Sequence, residues 1–91
     1  MVVEEGAEVQ RVKDSIIALW LHIWLKRIAK RYPDFFRQMI EDVVDSDKAV
    51  TIMCCRYIHR MKFKEIPDIV NLEERQVYKI HQNVIKHIIN L

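Results

Sequence analysis

The chain has 91 residues, 51% hydrophobic and 31% charged, with one Gly and two Pro. That length holds one domain with one core and excludes a large multi-substrate active site. So little Gly and Pro excludes a disordered or turn-rich all-β chain, and a single Gly excludes a P-loop or dinucleotide fingerprint.

The formal net charge of +2 is unevenly placed. Residues 1–47 carry seven Lys/Arg against nine Asp/Glu, and residues 48–91 carry eight against four. The positive field therefore lies in the C-terminal half, where an anionic partner is expected. The first residues are acidic and lack the basic start of a leader peptide. The longest apolar run, Ile16 to Leu25, is interrupted by His22 and is about half of what a bilayer needs. No membrane partner and a cytoplasmic location are expected. Cys54 and Cys55 are adjacent, a poor geometry for a structural disulfide, so they read as reduced thiols packed near a core.

In chain order, the first predicted helix spans Val9 to Arg31. It has no breaker and ends in the cations Lys26, Arg27, Lys30 and Arg31, with Pro33 soon after. Asp34 is placed to cap a second helix, Phe35 to about Val44. Asp45-Ser46-Asp47 punctuates next and caps a third helix running to about Arg60, with Val50, Met53, Cys54, Tyr57 and Met61 at three- and four-residue spacing. A short helix follows over roughly Phe63 to Val70, then a tight turn at Asn71 and a last helix from about Glu73. The expected fold is all-α, a compact single-domain bundle of about five helices. Residues 1–45 form a support or dimerisation part and residues 46–91 a helix-turn-helix part.

On the last helix, Val77, Ile80, Val84, Ile88 and Leu91 share one face at about 100° per residue. The opposite face reads Arg75, Lys79, Gln82 and Lys86, which is a solvated surface or a nucleic-acid contact. Ile66, Ile69 and Val70 form the inner side of the short helix, and Asn71 suits a left-handed turn. Leu72 and Val77 plug the angle between the two helices. This is the apolar pattern of a helix-turn-helix.

Glu65-Ile66, the turn at Asn71, and Val77 followed by Ile80 resemble the helix-turn-helix of region 4 of sigma-70-type factors. Arg56-Tyr57-Ile58, Glu65-Ile66 and the run Glu74-Arg75-Gln76-Val77-Tyr78-Lys79-Ile80-His81 resemble small transcriptional regulators of Gram-positive bacterial phages, the RinA/ArpU-like group. The similarity covers residues 47–91. It implies a DNA-binding role in phage gene control in the host cytoplasm, with a recognition helix of about residues 73–90. Carried over by position, Glu74, Arg75, Gln76 and Lys79 lie nearest base edges. Tyr78, Gln82 and Lys86 lie along the phosphate backbone, with Lys62 and Lys64 supporting from the preceding helix. Arg or Lys bridges the acceptors of guanine, Gln pairs with adenine, and Glu accepts from cytosine; lysines on phosphates add affinity and salt dependence. Two positions depart from the pattern. Pro67 stands inside the first helix, which is therefore shortened or starts later, and Asn71 replaces the more usual Gly. Glu73 and Glu74 place negative charge where phosphates approach, or else stabilise the helix N-terminus.

The N-terminal half carries one apolar stripe of Val9, Val12, Ile16, Leu19, Trp20 and Ile23. A second stripe holds Ile17, Leu21, Trp24, Leu25 and Ile28, leaving Arg11, Ser15, His22 and Lys26 as a polar strip. Either this is the central helix wrapped by the others, or one stripe closes a homodimer or receives a polymerase or sigma-factor partner. The candidate partner surface is Ile17, Trp20, Leu21, Trp24, Leu25 and Ile28.

His22, His59, His81 and His87 lack paired metal-ligand spacing, and Cys54-Cys55 is no zinc knuckle, so no metal and no cofactor is expected. A core-packed thiol is preferred to a Cys–His nucleophile at Cys54 or Cys55 and His59, so an enzyme is not expected. The leading expectation is a sequence-specific regulator binding double-stranded DNA as a homodimer. A polymerase- or sigma-binding module that does not bind DNA, and a DNA-packaging protein like terminase small subunits, are the rivals.

Overall fold

The computed structural model describes residues 2–91, with side chains from residue 16 onward. The described residues form five helices: α1 (Val2–Arg31), α2 (Pro33–Val43), α3 (Asp47–Tyr57), α4 (Pro67–Val70) and α5 (Glu74–Ile89). Among the described residues there is no strand, and the fold is all-α. The Val9 and Val12 end of the expected apolar stripe, with Arg11 and Ser15 of the polar strip, lies outside the described side chains. At 1.5 Å per residue α1 is about 45 Å long, and it accounts for the 46 Å longest dimension of the molecule.

Pro33 separates α1 from α2. The ring disfavours helical geometry at Tyr32, which takes φ −136° and ψ 70°, and Pro33 then opens the next helix at its first position. Asp34 thus sits in the first turn of α2, not at its cap, and still opposes the positive end of the helix dipole. Phe36 and Ile40, one turn apart, are the residues α2 buries. Ser46 caps α3 by accepting the Ala49 N–H at 3.3 Å.

The centre of the molecule is α3, which contacts all four other helices; the reading that placed α1 there is corrected. Ala49, Val50, Ile52, Met53, Cys54, Cys55 and Tyr57 of α3 are buried. It has no charged side chain between Lys48 and Arg56, and small Ala and Cys residues let neighbours approach closely. Both cysteines are free and buried, and burial raises their thiol pKa values.

The two sides of α3 serve different cores. Leu25, Ala29, Phe36, Ile40, Val50, Met53, Cys54, Tyr57, Val84 and Ile85 belong to one, with Ala49. Ile52, Cys55, Ile66, Val70 and Val77 form the other, flanked by Met61, Phe63 and Leu72. Ile80 packs against both. The second core holds the α4–turn–α5 unit in place.

The stretch after α3 is shorter in helix than expected. The chain leaves α3 through Arg60 in left-handed geometry, held by the Arg56 guanidinium donating to the Met61 carbonyl at 2.9 Å. Phe63–Glu65 is a turn, and α4 begins only at Pro67. Of the two outcomes expected from Pro67, the late start is the one adopted, because Pro lacks the N–H that an interior position needs. No described helix is long and apolar enough to cross a membrane.

Candidate nucleic-acid interface

The turn between α4 and α5 is set by Asn71, at φ 56° and ψ 47°. This is the left-handed region, which Asn tolerates better than most residues with a Cβ. The Leu72 N–H returns to the Pro67 carbonyl at 3.2 Å, closing the end of α4. Val77 is fully buried against Ile52, Ile66 and Val70. The turn and this plug together fix the direction in which α5 leaves.

The inward side of α5 is Val77, Val84 and Ile85. All four residues placed nearest base edges, Glu74, Arg75, Gln76 and Lys79, are exposed. Exposed too are Lys62, Lys64, Tyr78, Gln82 and Lys86. Lys62 precedes the turn and Lys64 lies within it rather than on a helix, since α4 starts three residues after Lys64. Tyr78 lies over Phe63 with ring centroids 4.4 Å apart. The Arg56 guanidinium carbon covers the Phe63 ring at 4.6 Å. This stack braces the loop that carries Lys62 and Lys64 against α5.

Gln76 has a structural duty that its placement as a base reader omits. Its side-chain carbonyl accepts the Glu73 backbone N–H at 3.0 Å, satisfying a donor at the start of α5. Only its amide N–H groups remain to offer elsewhere. The Glu73–Gln76 spacing is a capping-box signal that the sequence does carry. Glu73 and Glu74 lie where the helix dipole favours negative charge.

The structure divides the expected contact residues into two sets. Tyr78, Gln82 and Lys86 line a groove of about 770 Å³ with Ala18, Leu19 and His22 of α1. Glu74, Arg75, Gln76 and Lys79 lie outside that groove, toward the N-terminal end of α5.

Below the groove lies a polar joint that sequence spacing does not reveal. The Tyr57 hydroxyl is 2.7 Å from His22 Nδ1 and 2.9 Å from His81 Nε2, tying α1, α3 and α5. Tyr57 is 1% exposed. A phenol has one proton to give, so it donates to one imidazole and accepts from the other. Burial pushes the Tyr57 pKa up to about 12. Burial, then the nearby His22 and Arg56, brings His81 down to about 4. His22 is lowered as well, by burial first and then by Lys26 and Arg56. Both rings are thus held neutral near pH 7. His22, expected in the polar strip of the first helix, is half-buried and faces Tyr57. His81 likewise sits at the joint, not on an open surface.

The expected partner surface on α1 also divides. Ile17, Trp20 and Trp24 are exposed, Trp20 by 68%. Leu25 is 0% exposed and belongs to the core, while Leu21 and Ile28 pack half-buried against it. At about 100° per residue these three turn to the opposite side of the helix from Ile23. Their places on the open face are taken by Ile16, Leu19 and Ile23.

Among the described residues no three His, Cys, Asp or Glu side chains come together as a metal would need. No protein-family model, curated protein or solved structure matches the chain.

Proposed function

We propose that the chain is a non-enzymatic, sequence-specific DNA-binding transcriptional regulator, phage- or mobile-element-encoded and acting in the bacterial cytoplasm. In this reading α5 enters the major groove of double-stranded DNA. Arg75 and Lys79 read guanine, and Glu74 and the free amide of Gln76 adjust the choice of base. Lys62, Lys64, Tyr78, Gln82 and Lys86 take the phosphate backbone. The active form is a homodimer, working with host RNA polymerase or a sigma factor.

The observation that carries the reading is the pairing of the left-handed turn at Asn71 with the cations of α5. Val77 is buried on one side while Arg75 and Lys79 stand exposed on the other. A second reading, a protein-interaction module, is favoured by the uncovered Trp20 and Trp24.

The test is selection from a random duplex library by the pure protein at two salt concentrations. An enriched motif is expected, and Lys79→Glu abolishes it without loss of helical signal. Absence of binding even at low salt refutes the DNA reading. Unchanged operator binding by Lys79→Glu refutes the assigned face.

A further inference from the structure

The helix α1 is apolar on two opposite sides, and the chain itself uses only one. Leu25 and Ala29 are buried, and Ala18, Leu21 and Ile28 pack on the core. Ile16, Ile17, Leu19, Trp20, Ile23 and Trp24 are exposed. Their fractional exposures amount to roughly 700 Å² of surface, more than the largest apolar patch of an ordinary monomer. It is close to the roughly 800 Å² that each partner contributes to a stable interface.

The spacing within this face is regular. Ile16, Leu19 and Ile23 follow one another at three and four residues, and the sequence extends the pattern back through Val12 and Val9. The exposed Ile16, Leu19 and Ile23 thus follow heptad seam spacing, with β-branched residues at Ile16 and Ile23 and Leu19 between them. Ile17, Trp20 and Trp24 widen it on one flank.

We infer that this face is closed by α1 of a second copy of the chain, packed antiparallel. Ile16 then lies at the level of the partner copy's equivalent of Leu19, and Ile23 at the level of its Val12 position. The order of charges along the helix selects both occupant and direction. In sequence Glu4, Glu5 and Glu8 precede the apolar window, and Lys26, Arg27, Lys30 and Arg31 follow it. Reversing one copy brings the levels of Glu4, Glu5 and Glu8 to those of Arg31, Lys30 and Arg27. A parallel pair instead stacks acid on acid and base on base, which is unfavourable. A helix with acids at its start and bases at its end is its own complement when turned end for end, the requirement of a two-fold interface; Arg11, Lys13 and Asp14 between them add a net charge of only +1. Leu19 shares its groove with Tyr78, Gln82 and Lys86, so the pairing borders the proposed phosphate contacts, while Arg75 and Lys79 lie outside that groove. The inference deepens the homodimer element of the proposed function and rests on it, but stands apart from DNA binding.

Sedimentation equilibrium of the full chain without DNA tests it. A dimer is expected, and Leu19→Glu and Trp20→Glu each raise the dissociation constant roughly a hundredfold or more while circular dichroism stays unchanged. Lys79→Glu, the variant that separates the DNA reading, remains dimeric. Direction is read by mixing Val12→Cys and Ile23→Cys proteins, whose positions meet across the seam only when the helices run antiparallel, under mild oxidation, the native thiols being buried. A disulfide between the two variants is expected. A chain monomeric at high micromolar concentration overturns the inference, as does a dimer insensitive to Leu19→Glu and Trp20→Glu. Efficient self-cross-linking of Val12→Cys overturns the antiparallel arrangement.

Discussion

Replacing Tyr57 by Phe removes one oxygen from the place where α1, α3 and α5 meet. The aromatic ring stays, with its contact to Phe36 at 5.7 Å between centroids, so no large cavity opens. What is lost is the pair of hydrogen bonds at 2.7 and 2.9 Å to His22 and His81. Each is worth about 1 kcal/mol net, and each leaves an imidazole nitrogen without its partner. Both rings are only half-buried, so water recovers part of that penalty, and the total is about 2–3 kcal/mol. For a domain of this size that lowers Tm by roughly 10–15 °C. Thermal and urea unfolding followed by circular dichroism measure it directly. A double-mutant cycle with His81→Leu isolates the Tyr57–His81 bond, with a coupling of about 1 kcal/mol expected. A fall in Tm below about 3 °C, or strictly additive single and double mutants, refutes the joint as a stabilising element.

The same joint makes stability depend on pH. His81 binds its proton at about 4 in the folded chain, against 6.5 for the free side chain. Between those values the unfolded chain holds more protons, so stability is full above about pH 6.5 and falls as pH drops toward 4. At about 1.36 kcal/mol per pKa unit, reduced for a half-exposed ring, the loss by pH 5 is about 1–2 kcal/mol. Urea midpoints at pH 7.5 and 5 measure it, and equal midpoints refute it. At the turn, Asn71→Gly keeps or slightly raises Tm, whereas Asn71→Val costs about 1–2 kcal/mol because a β-branched residue resists φ 56°. Equal melting of the two variants removes the turn argument. If Lys62 and Lys86 each meet one phosphate, Lys62→Ala and Lys86→Ala each flatten the slope of log affinity against log salt by about one unit. Salt titrations by fluorescence anisotropy read this, and an unaltered slope removes that residue from the interface.

Much of this architecture is legible in local sequence because local chemistry imposes it. Pro33 forces the break after α1, Ser46 supplies a cap, and Asn71 accepts the left-handed turn. The exposed side of α5 follows from the spacing of Val77 and Val84. The identity of the central helix does not follow from apolar content. The apolar residues of α1 are larger and more numerous than those of α3, yet burial depends on how many neighbours can approach, which the small residues of α3 favour. The Tyr57 joint was equally hidden. His22 and His81 lie 35 and 24 residues from Tyr57, and no periodicity links residues so far apart. The amide of Gln76 suits adenine and the helix start alike, and the fold engages its carbonyl at the helix start.

Because α3 is a partition with a core on each side, the two ends of α5 are anchored in different clusters, joined through Ile80. Its first turns are anchored through Val77 to the small cluster with Ile66 and Val70, and its later turns through Val84 and Ile85 to the larger one. The smaller cluster buries less apolar area and opens at lower free energy. Backbone amides around α4 and the start of α5 therefore exchange with solvent before those near Val84, within one continuous helix. The side chains of Arg75 and Lys79 project from the more yielding end. A ligand gripping that end stabilises the half of the molecule with most to gain, so occupancy is readable as local exchange protection even where the global melting temperature barely moves.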